Sequence, residues 1–193
     1  MSEVAGIILA AGQSRRMGKD NKLTTIWQGA PLVRHVAEAA LASRLQKVVV
    51  VTGHEREFVE AALPDGCLLT HNGDYEQGMA GSIRNGQYRL QGYGPIMILL
   101  GDMPLITAEH IDMLIAAYET SGRDDAIVVA TSGCDWGNPV LFGKAHFAAL
   151  KSLDGDVGAR SVVNANADCV ITVDIGDAAR RDFDTPDAFA RHG

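Results

Sequence analysis

The chain has 193 residues, a length that suits one domain of ~100–200 residues and can bury a core without staples. Apolar residues make up 47% and charged residues 21%, which argues against extended disorder. The 17 Lys and Arg against 24 Asp and Glu leave a net charge of −7, a poor balance for general nucleic-acid binding, which needs a basic patch for phosphates.

The first apolar run, VAGIILAA at 4–11, ends at Gly12 and reads as a buried strand. It lacks the basic start of a signal peptide and runs into Arg15 and Arg16. No apolar run nears the ~20 residues of a membrane helix, so a cytoplasmic protein is expected. Residues 31–43 carry Leu32, Val36, Ala39 and Ala40 at helical spacing. The β-branched KVVVVT at 47–52 stops at Gly53, and 55–63 follows as a helix with Phe58, Val59 and Ala62 on its apolar stripe. Gly and polar residues at 72–86 read as a loop. PIMILL at 95–100 stops at Gly101; Thr107 then caps a helix over 107–120 with Ile111, Leu114, Ile115 and Tyr118 inward. AIVVAT at 126–131 is another strand, and 132–138 reads as a loop. The closing DFDTP at 182–186 reads as an extended piece before a helix started by Pro186.

Unbroken apolar strands alternating with amphipathic helices predict a three-layer, Rossmann-like α/β domain with a mostly parallel central sheet. No linker, repeat or low-complexity tract divides the chain. In such sheets ligands bind beyond the carboxyl ends of the strands, which is where Gly12–Lys22 and Gly101–Asp102 fall.

The segment LAAGQSRRMGKDNK at 9–22 joins Gly12, Ser14 and Gly18 to four cations, Arg15, Arg16, Lys19 and Lys22. Loop N–H groups and local cations suit a polyphosphate. It is not a Walker loop, because Gly12 to Gly18 is one residue too long and Asp20 follows Lys19. It is not the dinucleotide fingerprint either, because Ser14 stands where a second glycine is needed. The three cysteines, Cys67, Cys134 and Cys169, are far apart and read as buried or partly buried free thiols rather than a disulfide or zinc framework. The six histidines show no metal-ligand spacing: His35, His110, His146 and His192 read as surface residues, while His54 and His71 lie near the ligand edge. Trp27 and Trp136 read as packing residues or stacking platforms.

LAAGxSxRMG followed by Lys resembles the signature of the MobA-like nucleotidyltransferases, and within them the molybdenum cofactor cytidylyltransferases. GMAGSIRNG at 78–86, LLGDMPL at 99–105, GNPVLF at 137–142, GDVGAR at 155–160 and DFDTP at 182–186 are similar to further family segments, in family order, over nearly the whole chain. Asn138 and Met103 depart from the family's His and Gln. Ala11 and Gly101 stand where guanylyltransferases tend to carry Gly and Cys, which favours cytidylyl transfer.

The resemblance implies Mg²⁺-dependent transfer of CMP from CTP to a molybdopterin-type cofactor, with a molybdoenzyme or its chaperone as a further partner and neither nucleic acid nor membrane. A nucleotide half would occupy about 1–105 and an acceptor half about 106–193. Ala10, Ala11, Gly12, Ser14, Gly81 and Ser82 would line the nucleotide, with Ser82 also read as a helix N-cap. Arg16 would hold the leaving pyrophosphate and Lys22 the α-phosphate. Asp102 would hold the metal with Asp182 as second carboxylate; Asp184 competes for that role and also suits a cap of the Pro186 helix. Alternatives are a guanylyltransferase or other NTP transferase with a small phosphorylated acceptor, and a non-catalytic molybdopterin-binding chaperone.

Overall fold

The computed structural model describes residues 3–13 and 21–183. Ser14, Arg15, Arg16, Lys19, Asp184, Pro186 and His192, singled out above, lie outside the described residues. Strand β1 (Ala5–Ala10) is followed by a 3-10 turn at Lys22–Thr24 and a short ribbon of β2 (Ile26–Trp27) and β3 (Ala30–Pro31). Then come α1 (Leu32–Ala42), β4 (Lys47–Thr52), α2 (Arg56–Ala62), β5 (Leu68–His71), α3 (Met79–Arg89), β6 (Ile96–Leu100) and α4 (Ala108–Ser121). The second half adds β7 (Ile127–Ser132), β8 (Asp135–Phe142), α5 (Phe147–Lys151), α6 (Arg160–Ala165) and β9 (Val170–Asp174).

The main sheet has seven strands in the order β5-β4-β1-β6-β8-β7-β9. All neighbouring pairs are parallel except the two that β8 makes with β6 and β7. The unbroken apolar runs are explained by helices on both faces, because successive side chains of a strand point to opposite sides. Ile8, Val50, Leu99 and Val128 join the core under α1 and α4. Ile7, Val49, Ile98 and Val129 join the core under α3, α5 and α6. The expected three-layer architecture is therefore the one observed.

Two segments read as loops are regular structure. The Gly-rich 72–86 stretch holds most of α3, and its glycines serve packing: a Cβ on Gly86 would lie 2.6 Å from Cγ2 of Ile7, so the helix can approach β1 closely only without one. Residues 132–138 lead into β8, which crosses back between β6 and β7. Phe58 corrects the expected stripe of α2: it is 68% exposed, whereas Val59 is buried. Among the described residues no helix is long and apolar enough to cross a membrane.

Candidate active site

Strand order places the site. From β1 the chain steps outward to β4 and β5, then crosses to β6 on the other side of β1. The loops after β1 and β6 therefore diverge at a topological switch point, where ligands enter open α/β sheets. The Gly101 N–H donates to the Leu9 carbonyl at 3.0 Å and ties the two strand ends together. A Cβ on Gly101 would meet that carbonyl at 3.1 Å and Leu23 Cδ2 at 3.3 Å. The larger residue of the guanylyl pattern would therefore press on the loop that follows β1.

Asp102 stands just beyond β6, and its carboxylate receives the Lys22 ammonium at 2.5 Å. Both side chains are half-buried, at 14% and 16% exposure. The 3-10 turn that carries Lys22 is set by Asn21, whose buried side chain accepts the Leu23 N–H at 3.0 Å. The Phe183 N–H donates to the Asp102 carbonyl at 3.1 Å. That bond brings Asp182, exposed and one residue earlier, beside the end of β6. Lys22, Asp102 and Asp182, distant in sequence, thus share one edge of the sheet.

The other described residues expected at the nucleotide lie at the end of β1 and in α3. Ala10 and Ala11 are buried and Gly12 is exposed at the end of β1. The Gln13 amide reaches across to the Glu76 carboxylate at 3.0 Å, linking this loop to the turn before α3. Gly81 and Ser82 lie in the first turns of α3. Ser82 does not cap the helix, since Gly78 occupies the cap position. It is buried and accepts a 3.1 Å hydrogen bond from the Asn72 side chain, whose oxygen also accepts the Asp74 N–H. Asn72 was not singled out from the sequence, being a lone polar residue in an apparent loop, yet it is buried and fixes the Ser82 hydroxyl. The Ala80 N–H donates to the Gly155 carbonyl at 3.3 Å, so two of the recognised motifs, around 78–86 and 155–160, touch.

On the second half, the Arg160 guanidinium lies over the Trp136 ring at 5.2 Å and donates to its carbonyl. Trp136 is half-buried and Trp27 is buried. Met103 points into the core, 2% exposed, so its departure from the family's Gln is a packing change rather than a change at the site. The surface reading of the histidines is corrected at three positions, one of them His110, which is half-buried at the start of α4. His146 is buried and bonds the Asp125 carbonyl, and His35 is half-buried and donates to the Trp27 carbonyl. Cys67 and Cys169 are half-buried and Cys134 is exposed; burial raises the Cys67 thiol pKa above its ordinary value.

Among the described residues no three His, Cys, Asp or Glu side chains form a ready metal cage. That donor set still suits Mg²⁺, a hard cation that takes one or two carboxylates and completes its octahedron with water and phosphate oxygens. The ammonium against Asp102 marks the place where positive charge is already favourable.

The MobA-like NTP transferase domain matches residues 6–170. The purine catabolism protein PucB of Bacillus subtilis is 30% identical over 95% of this chain and 93% of its own length. The bifunctional protein GlmU of an Anaeromyxobacter species is 38% identical over 121 residues, and this chain spans only a quarter of its length. Among solved structures, Rv0371c of Mycobacterium tuberculosis superposes with a TM-score of 0.87 at 24% identity, over 98% of this chain and 96% of that one. The same protein has also been solved in complex with manganese.

Proposed function

Because the chain belongs to the MobA-like NTP transferase family, we propose that it is a nucleotidyltransferase that moves CMP from CTP to the terminal phosphate of a molybdopterin-type cofactor and releases pyrophosphate. One observation carries this reading: the Lys22–Asp102 pair beyond the diverging ends of β1 and β6, which supplies one cation and one carboxylate at the switch point where open α/β sheets bind their ligands.

In the reaction an acceptor phosphate oxygen forms a bond to the α-phosphorus while the bond to the pyrophosphate oxygen breaks. A phosphate monoester is largely ionised at neutral pH, with a second pKa of ~6, so the residues need not remove a proton. Their work is positioning and charge neutralisation. Lys22 leaves Asp102 for the α-phosphate and follows its growing charge. Arg16 grips the β- and γ-phosphates through its planar fork. Ala10, Ala11, Gly12 and Ser14 on one side, and Gly81 and Ser82 on the other, hold the nucleotide. Ala11 and Gly101, standing where guanylyltransferases tend to carry Gly and Cys, support CTP over GTP. Asp102 and Asp182 would hold Mg²⁺, which withdraws charge from the phosphate oxygens when bound.

The test is to incubate the protein with Mg²⁺, molybdopterin and each of the four NTPs in turn and to measure pyrophosphate. CTP is expected to give the fastest release, and Asp102→Asn to abolish it while circular dichroism shows the fold intact. Faster release with GTP would assign guanylyl transfer instead, and full activity of Asp102→Asn would remove the metal assignment.

A further inference from the structure

Besides the two large cores, the molecule has a third, small one made of Trp27, Leu32 and Phe183, with Leu105 packed against it. Phe183 is fully buried although its neighbour Asp182 is exposed. Its ring meets Trp27 edge-on at 5.3 Å. Trp27 is gripped in turn by His35, whose ring lies 5.1 Å away and whose Nε2 donates to the Trp27 carbonyl at 2.8 Å.

Each part of this cluster is continuous with a charged element of the site. Leu105 lies in the loop that begins with Asp102. Leu32 starts α1, and its N–H donates to the Thr25 carbonyl, which closes the turn bearing Lys22. Phe183 follows Asp182 and hydrogen-bonds the Asp102 backbone. Leu105 also packs against the first main core, and the cluster joins the three segments that carry Lys22, Asp102 and Asp182.

We propose that Phe183 is a positioning residue: its docking against Trp27 and Leu32 holds the carboxylate-bearing closing segment beside Asp102, and thereby sets the affinity of the site for a divalent cation. Phe183 is buried while Asp182 beside it is exposed, and the Phe183 N–H is bonded to the Asp102 carbonyl, so seating the aromatic fixes the backbone that carries the second carboxylate next to the first. This rests on the function proposed above and adds the device that assembles its metal end.

The probe is Mn²⁺ alone, with bound ion counted from the loss of its free electron-paramagnetic signal, for wild type, Phe183→Ala and Phe183→Leu. Partners that orient metal ligands typically change metal affinity by 10–100-fold when removed. Phe183→Ala is therefore expected to weaken Mn²⁺ binding by about ten-fold or more. Phe183→Leu, which refills much of the apolar volume, should recover most of it. In turnover, the Mn²⁺ concentration for half-maximal rate should rise, while kcat at saturating metal and the KM for CTP change little. If Phe183→Ala does not fold, Phe183→Leu carries the test through a smaller loss of metal affinity at an unchanged urea midpoint. Metal affinity equal to wild type in every folded variant, with only stability lowered, would overturn the proposal. A wild-type protein that neither binds Mn²⁺ nor releases pyrophosphate would overturn the functional reading, and this proposal with it.

Discussion

Lys22 and Asp102 neutralise each other at 2.5 Å in a half-buried setting, so removing either partner leaves the other exposed to a partly desolvated charge. For Lys22→Ala the expected kinetic result is a fall in kcat larger than any rise in the KM for CTP, because the charge it follows develops during the reaction. Losing one charge-assisted bond costs about 1.5–3 kcal/mol, or roughly 10- to 150-fold in rate. Steady-state kinetics at saturating Mg²⁺ check this, and a pure KM effect would return Lys22 to simple ground-state binding. At this scale the sequence was most readable where a residue belongs to a long motif: Lys22 and Asp102, 80 residues apart, were both singled out from motifs and meet in the fold. Phe183 was unreadable, because an apolar residue between two acids declares its inward turn only once its partner Trp27, far away in sequence, is in place.

Among the helices, α4 shows how local chemistry fixes an element that frames the site. The Thr107 hydroxyl accepts the His110 N–H, and the His110 ring accepts the Thr107 N–H, both at 3.3 Å. The second bond needs a neutral ring nitrogen. Burial lowers the His110 pKa below its usual value, against a smaller upward pull from Glu109. The unfolded state therefore binds the proton more readily, and the sign follows from linkage. This contribution to stability is full above the unfolded His pKa of ~6.5 and is lost as pH falls through the lower folded value. His110→Gln, which keeps an acceptor without a proton to gain, should flatten the decline of the urea midpoint below pH ~6.5; an unchanged decline would place its origin elsewhere. The Thr107 cap was legible because cap and apolar period agree. The strand β8 was not: its Gly, Asn and Pro carry turn chemistry, and its place between β6 and β7 comes from long-range pairing, with Leu141 in register with Met97 on one side and Val128 on the other. In α3 Gly86, one of the glycines that suggested a loop, allows the close approach of the helix to β1.

Across the whole molecule a single sheet runs through both proposed halves, so a ligand at its switch point should stabilise the fold as one unit. With Mg²⁺ present, CTP at ~100 times its Kd is expected to add about 2.7 kcal/mol, a thermal shift of several degrees for a chain of this size, and more than GTP adds. Equal protection by GTP would support the guanylyl alternative. The contact between Lys22 and Asp102 carries a further consequence for the order of events. A cation that arrives alone must displace the ammonium from Asp102, whereas a cation that arrives with a triphosphate brings an anion for the ammonium in the same exchange. Cation and nucleotide are therefore expected to bind cooperatively: each should raise the affinity of the other, by a factor that thermodynamic reciprocity makes the same in both directions. Lys22→Ala should shrink that shared factor, because without the ammonium the carboxylate stands ready for the cation whether or not the nucleotide has come.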